Sequence, residues 1–225
     1  MNRTLLGVVV LVSMGLLAGC ATTRSEIKLT APMVASGLVA KHASKDQIVL
    51  VRSVVDERQF EAAPKDPSIP SLGFEGAAQA TMETKARAFG RKRNGFGRAM
   101  GDVLLDKSQS VTGVVREQLN AAFADAGYRV AQNEVDAGAS PVLVDVRIKQ
   151  FWSWINMGFW ALTLNNQITT DLTFSGAAQP MAVSVHLQEQ HMAVTDSAWT
   201  EDLGKALQAY RTQVVDKLGK LSLTP

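Results

Sequence analysis

One residue of this sequence has a type and a setting that indicate specific chemistry: Cys20, the only cysteine among 225 residues. It follows the small residues Ala18 and Gly19, which come after a mostly apolar run from Leu5 to Leu17. A positive residue, an apolar run of about thirteen residues and then small residues are typical of a secretory signal peptide, and the run is shorter than the ~20 residues of a membrane-spanning helix. The pattern predicts a signal peptide at residues 1–19.

The residues Leu17-Ala18-Gly19-Cys20 resemble the lipobox of bacterial lipoproteins. The resemblance implies that the sulfur of Cys20 carries a diacylglyceryl group and that its amine, freed by cleavage, is acylated. Two or three acyl chains attach a protein stably to a membrane, because each buried methylene contributes ~0.8 kcal/mol. Ala21 stands where lipoproteins of the inner membrane often carry Asp, so we expect the periplasmic leaflet of the outer membrane. The alternative is a free thiol in an ordinary secreted protein.

The other residues that could carry chemistry are dispersed along the chain. His186 and His191 are separated by an odd number of positions, which places them on opposite faces of a continuous strand and makes them poor joint metal ligands. The sequence contains no His-Glu-x-x-His, no Gly-x-Ser-x-Gly and no phosphate-binding loop. We therefore expect no catalytic residues, no metal and no cofactor apart from the covalent lipid, and a cell-wall enzyme is the least favoured function.

A cationic segment lies within a largely irregular stretch from about residue 56 to 101, in which the pattern allows one short helix at 75–88. Between Glu83 and Arg98 the sequence has six cationic residues and one acidic residue. The six are Lys85, Arg87, Arg91, Lys92, Arg93 and Arg98. Such a cluster is suited to anionic phospholipid headgroups, lipopolysaccharide phosphates or an acidic protein partner. The alternative is a solvated loop whose phenylalanines cover an edge of the core.

A second cluster is aromatic and surrounds a predicted turn at residues 156–158. We interpret Phe151, Trp154 and Phe159 as a contact surface for a membrane interface, a glycan or a protein groove. The alternative is that the rings belong to the core, since Trp152, Trp154 and Trp160 share faces with aliphatic neighbours if no bulge interrupts the strand.

The elements that must position these residues follow from hydrophobic periodicity. An apolar run at residues 47–55 predicts a strand covered on both faces, and alternation after Val142 predicts an antiparallel meander. Helical stripes predict helices at 110–127, ending at Gly127, and at 198–221. The predicted fold is α+β in two layers, with a mainly antiparallel sheet of five to six strands and both helices packed on one face.

The domain organisation predicted from these elements is simple. Residues 20–45 form a lipidated N-terminus and a flexible tether, and residues 46–225 form a single periplasmic domain of sufficient length for its own core. The chain has 23 Lys and Arg residues against 21 Asp and Glu residues, and this near-neutral balance argues against nucleic acid as a partner.

The chain also resembles the YajG-like family of uncharacterised bacterial lipoproteins. The residues that carry the resemblance are the lipobox, the strand at 47–55 with Asp56-x-Arg58, the segment 93–97, the helix ending in Gly127-Tyr128 and the strands after it. The resemblance implies an outer-membrane lipoprotein with a compact mixed domain and no catalytic residues. We expect a non-catalytic binding or assembly accessory of the cell envelope, attached to the membrane and partnered by an envelope protein or anionic lipid. The alternative is an auxiliary lipoprotein of a lipid or lipopolysaccharide transport system.

Overall fold

The computed structural model describes residues 23–30, 47–73 and 76–221, so Cys20 and the predicted signal peptide lie outside the described residues. Within these ranges eight strands form one sheet, accompanied by five helices. The strands are β1 (Ser25–Ile27), β2 (Ile48–Asp56), β3 (Ala88–Arg93), β4 (Ala99–Leu105), β5 (Arg129–Ala131), β6 (Val142–Met157), β7 (Leu162–Phe174) and β8 (Met181–His191). The helices are α1 (Gly76–Gln79), α2 (Met82–Arg87), α3 (Val111–Asp125), α4 (Glu134–Ala137) and α5 (Asp196–Leu218).

The sheet is built around β6, which has 16 residues. One edge of β6 pairs with β7 in antiparallel fashion, and β7 pairs in turn with β8. The other edge changes partner along its length: it pairs in parallel with β2 as far as Ile148, and then Ser153 pairs with Gly90 of β3. The sheet therefore forks at β6 into two branches, β2–β5 and β3–β4–β1.

The α+β class is confirmed, but the prediction of a mainly antiparallel sheet of five to six strands is wrong in detail. Four pairings between the described strands are parallel and three are antiparallel. β3 and β4 were missed as a hairpin because their glycines and arginines break the alternation on which strand prediction relies. β1 and β5 have only three residues each, which is too short for a periodic signal.

Helices α3 and α5 both pack on one face of the sheet, as their apolar stripes predicted. α3 begins where Ser110 Oγ accepts a hydrogen bond from the backbone N–H of Gly113, and the chain turns after the helix at Gly127, whose φ is 86°. These are the expected N-cap and left-handed C-terminal residue. We call the sheet face beneath these helices the helix face and the opposite one the outer face.

Part of the outer face is covered by the segment that follows β2. Leu72 packs there with Ala88, Leu104, Trp152 and Trp154 in a second buried cluster, which Phe60 borders. The indole N–H of Trp152 donates to the carbonyl of Pro67 over 3.2 Å. The stretch 56–101, predicted as largely irregular with one short helix, therefore contains β3, the start of β4, two short helices and the cover of part of the outer face.

The predicted tether is also corrected, because residues 23–30 belong to the domain. β1 pairs with β4, and Ile27 and Leu29 are buried in the main core. The side-chain amide of Gln109 makes two hydrogen bonds to the backbone of Leu29: its oxygen accepts from the Leu29 N–H and its nitrogen donates to the Leu29 carbonyl, each over 2.9 Å. The described fold thus begins at Thr23, three positions after Cys20.

Candidate functional site

Two of the six predicted cationic site residues are used inside the fold. Arg87 is buried and donates to the carbonyl of Leu105 and to the carboxylate of Glu26, over 2.9 and 2.5 Å. Arg91 donates to the carbonyl of Met100 and to the hydroxyl of Ser71, each over 3.2 Å. Burial lowers the pKa of Arg91, which indicates a desolvated charge. Both guanidinium groups tie strands and loops together.

The remaining four cations differ in their surroundings. Lys85 is half-buried in α2, far along the chain from the β3–β4 turn. Lys92 Nζ lies 3.9 Å from a carboxylate oxygen of Asp196, and Arg93 donates to the carbonyl of Gly97 over 2.8 Å. Arg98 is exposed. The six cations therefore do not form one patch, and Lys92, Arg93 and Arg98 are the ones that flank the β3–β4 turn.

The β3–β4 turn, residues 94–98, is fixed by its own polar groups. The side-chain oxygen of Asn94 accepts from the backbone N–H groups of Phe96 and Arg98, over 3.0 and 2.9 Å. Gly97 has a φ of 77°, a conformation that favours glycine. Phe96 is 99% exposed at the tip, so the turn presents an aromatic ring next to a cation.

Phe151 and Trp154, predicted as contact residues, are buried, and this part of the prediction is corrected. For Phe151 the cause is a bulge in β6: Ile148 pairs with Thr170 and Gln150 with Thr169, which leaves Lys149 as an extra residue. Because side chains alternate between faces, one extra residue exchanges the faces of everything after it. Phe151 consequently joins the helix face, and Trp154 lies in the buried cluster of the outer face.

Phe159 is exposed as predicted, and its exposed neighbour is Trp160. The two side chains are 88% and 82% exposed and form an edge-to-face pair with ring centroids 4.7 Å apart. They occupy the β6–β7 turn, residues 158–161, which is closed by the hydrogen bond from the Gly158 N–H to the Ala161 carbonyl. Met192, 86% exposed, follows His191, which pairs with the first residue of β7.

Strand directions place these turns at one end of the sheet. β3 and β6 run parallel, with Gly90 beside Ser153. From that pair β3 continues for three residues to Arg93 and β6 for four residues to Met157, so the two strands end at nearly the same level. β8 also ends there, because His191 pairs with Leu162 at the start of β7. We call this the aromatic end, defined by the turns 94–98 and 158–161 and by Met192.

The N-terminal strand enters from the aromatic end as well. β1 is parallel to β4, which begins directly after the turn 94–98, and Ser25 pairs with Val103. Ser25 Oγ donates to the carboxylate of Asp196, the first residue of α5, over 2.8 Å. Asp196 also lies 3.9 Å from Lys92 Nζ, so β1, the end of β3 and the start of α5 meet at this place.

Exposed apolar side chains are concentrated at the aromatic end. Among the described residues, eight large apolar side chains are exposed, and four of them are Phe96, Phe159, Trp160 and Met192. The other four are Val55, Met82, Val135 and Leu221, which lie in or after four different elements. Adjacent exposed aromatic rings are typical of a contact surface, whereas single exposed apolar residues are ordinary.

The two described histidines lie on opposite faces of β8, as their spacing predicted. His186 Nε2 lies 3.1 Å from the side-chain oxygen of Asn165, and its ring stacks on Trp154 on the outer face. His191 Nε2 lies 2.6 Å from Asp202 on the helix face. In the part of the chain that the structure describes, no cluster of three or more His, Cys, Asp or Glu residues could hold a metal. None of the described helices has the length and apolarity needed to span a bilayer.

Comparison with known proteins found no matching family model and no matching curated protein. Two solved structures resemble the chain at 11% sequence identity each. One is an uncharacterised protein, with a TM-score of 0.40 over 90% of this chain and 99% of that one. The other is a Xanthomonas campestris protein described as a member of family DUF330, with a TM-score of 0.45 over 89% of this chain and 98% of that one. The YajG-like resemblance stays a prediction.

Proposed function

We propose that this protein is a lipoprotein held through Cys20 on the periplasmic leaflet of the outer membrane, where it serves as a non-catalytic binding or assembly accessory. The observation that carries the proposal is the position of β1 in the sheet. Thr23 lies three positions after Cys20, and three residues of chain reach at most about 11 Å. Acyl chains on Cys20 would therefore hold the aromatic end directly beside the bilayer instead of on a long flexible tether.

A surface for an envelope partner is available on the strands that lead away from that end. On β8 the outer face carries Ser184, His186, Gln188 and Gln190, all exposed. Gln188 and His186 both contact the side-chain oxygen of Asn165, so the polar groups are held in place. Ordered amide and imidazole groups on an uncovered sheet face are suited to hydrogen bonding with another protein.

A second candidate function is that of an auxiliary in lipid transport, favoured by a groove at the opposite end of the sheet. The groove has a volume of about 540 Å³ and lies between the β7–β8 turn and the end of α5. Its wall includes Phe174, Pro180 and Met181, with Lys217 and Lys220 at the helix end. An apolar wall beside two cations is suited to an acyl chain with an anionic headgroup.

The anchor is tested by labelling cells with a radioactive fatty acid. The wild-type protein should incorporate the label, and Cys20→Ala should abolish incorporation, since the acceptor sulfur is absent. Label retained by Cys20→Ala would contradict the lipidation proposal. In the same strains Ala21→Asp should move the protein toward the inner membrane, and an unchanged fractionation profile would contradict the outer-membrane assignment.

The accessory function is tested by photocrosslinking in intact envelopes. A photoreactive residue at Gln188 should give a discrete protein adduct, identified by mass spectrometry, whereas one at Glu117, exposed on α3, should not. Phospholipid adducts alone at Gln188 would contradict a protein partner on this face. Phospholipid adducts at Met181 in the groove would favour the transport function.

A further inference from the structure

We propose that the aromatic end is a second membrane contact, at which Phe96, Phe159, Trp160 and Met192 enter the headgroup region of an anionic phospholipid leaflet. The proposal rests on the proposed function in one respect: an anchor at Cys20 would bring this end to the bilayer. It goes beyond that function because it makes the protein's own side chains, and not the acyl chains alone, responsible for the orientation of the domain.

The side chains exposed at the aromatic end are of the kind that favours a membrane interface. Phe159 and Trp160 pack edge to face at the tip of the β6–β7 turn and have no cover from the described part of the chain, being 88% and 82% exposed. Tryptophan and other amphipathic aromatic rings are enriched at the membrane–water interface, because the ring is apolar and the indole N–H can remain hydrated. Phe96 offers a third exposed aromatic ring, from a separate turn at the same end.

Positive charge lies beside these rings. The stretch from Arg91 to Arg98 contains four cations and no carboxylate. Of these, Arg98 is exposed next to Phe96, while Lys92 and Arg93 lie at the base of the turn. Two carboxylates lie near this base: Asp196, which is engaged by Ser25 and by Lys92, and Asp66, which interacts electrostatically with Arg93. Cations next to an anionic leaflet strengthen binding, so charge and apolar surface favour the same partner.

The geometry of the aromatic end also favours contact with a bilayer. The two turns and the N-terminal entry into β1 are three separate points at one end of a single sheet. Contact of all three with one bilayer would hold the strands upright. The groove near Pro180 would then lie at the end away from the membrane, and the outer face of β8 would stand roughly perpendicular to the bilayer, so that a partner or lipid carrier has access to both.

The test uses the mature lipidated protein bound to phosphatidylglycerol vesicles whose acyl chains are brominated, because bromine quenches tryptophan fluorescence on contact. Trp152, Trp154 and Trp199 are 1%, 6% and 1% exposed, so Trp160 is the described indole that can reach the lipid. We expect wild-type emission to fall markedly in brominated relative to plain vesicles and Trp160→Phe to lose most of this fall. Equal quenching of wild type and Trp160→Phe would overturn the proposal.

A second measurement compares surface variants of the same lipidated protein. Phe96→Ser and Arg98→Gln should each reduce the quenching of Trp160, by about twofold or more, and Phe159→Ser should reduce it further. Val135→Ser is the matched control, because Val135 is 90% exposed in α4 and lies away from the aromatic end, so it should leave quenching unchanged. A reduction by Val135→Ser equal to that by Phe96→Ser would overturn the proposal.

The two proposals fail in distinguishable ways. Normal fatty-acid labelling of Cys20 with no quenching of Trp160 would overturn the membrane contact and leave the anchor intact. Quenching without labelling would support the membrane contact and overturn the anchor. A photoreactive residue at Trp160 that captures a protein in place of phospholipid would also overturn the membrane contact.

Discussion

Two short segments of this chain place an arginine and a phenylalanine two positions apart, and the fold uses them in opposite ways. In Arg58-Gln59-Phe60 the guanidinium is fully buried and lies 5.2 Å from the centroid of the Phe60 ring. In Phe96-Gly97-Arg98 both side chains are exposed at the tip of a turn. The same residue types therefore form a buried structural contact in one place and an exposed tip in the other.

Arg58 lies at the fork of the sheet, where β6 stops pairing with β2 and begins to pair with β3. It donates to both carboxylate oxygens of Asp56 over 2.8 and 2.7 Å, and to the carbonyls of Ala88, Phe151 and Lys85 over 2.5, 3.0 and 2.9 Å. A fork leaves backbone carbonyls without ladder partners, and buried carbonyls of this kind require donors. The five donors of a guanidinium supply them in a single plane.

The largest expected difference between a buried and an exposed residue is that between Phe151 and Phe159 in their contribution to stability. Phe151→Ala should lower the free energy of unfolding by about 3–5 kcal/mol, because it opens a cavity beneath the helices. Phe159→Ala should change it by no more than about 0.5 kcal/mol, because the ring has little protein around it. Urea unfolding of both variants measures the difference, and equal losses would contradict the position of the bulge at Lys149.

The second prediction concerns the two arginines. Arg58→Met should lower the free energy of unfolding by about 3 kcal/mol, because it leaves Asp56 without its partner and three carbonyls without donors. Arg98→Met is the matched control and should stay within about 0.5 kcal/mol. Both values come from urea unfolding, and a large loss in the Arg98 variant would show that the turn has a structural role comparable to that of the fork.

A third prediction concerns the pH dependence of stability that a buried tyrosine causes. Tyr210 Oη and Thr170 Oγ1 lie 2.8 Å apart, both fully buried. Burial raises the pKa of Tyr210 above its ordinary value of 10.0, and the hydrogen bond with Thr170 opposes the shift. The stability due to the neutral hydroxyl is therefore fully present below pH 10 and is lost as the pH rises above 10.

Tyr210→Phe removes this titrating group. At neutral pH the variant should be less stable by about 2 kcal/mol, because the Thr170 hydroxyl loses its partner. Unfolding measured from pH 7 to pH 11 should show the gap between wild type and variant narrowing above pH 10. A constant gap over that range would contradict the pKa shift.

The smallest expected effect lies in the exposed turn. Gly97 has a φ of 77°, so Gly97→Ala should lower the free energy of unfolding by about 1 kcal/mol through backbone strain. Gly95 is in the same turn without a positive φ, and a Cβ added there meets nothing within 4 Å, so Gly95→Ala is the control and should be near neutral. Thermal unfolding distinguishes the two, and equal shifts would contradict the turn geometry.

Much of the fold could be predicted because it depends on long periodic segments. The stripes from Val111 to Phe123 and from Trp199 to Leu218 identify both long helices, and alternation identifies β6, β7 and β8. The hairpin of β3 and β4 could not be predicted, because Gly90 lies where a Cβ would come within 2.9 Å of Trp199, a packing demand that no local pattern expresses. The parallel pairing of β2 with β6 is likewise a long-range choice.

The candidate site was predicted in part. The chain around Phe96 and Arg98 and the ring of Phe159 were identified from composition and turn position, and they are exposed. Trp160 was considered only for the core, on the alternative that an uninterrupted strand places it on an aliphatic face, yet it lies exposed in the turn beyond β6. Arg58 was noted only as part of a resemblance, since its role depends on carbonyls 27 to 93 positions away.

The sequence by itself determined the two long helices and the long strands and is the basis on which the anchor at Cys20 is proposed, because a lipobox-like segment, a helical stripe and an alternating strand are local patterns that need no knowledge of the rest of the chain. Only the tertiary structure decided which aromatic and cationic residues are exposed to solvent and which are buried in the core or hydrogen-bonded to backbone carbonyls. That choice depends on one extra residue, Lys149, which exchanges the faces of a strand, and on strand directions that gather distant turns and the N-terminal entry at one end of the sheet.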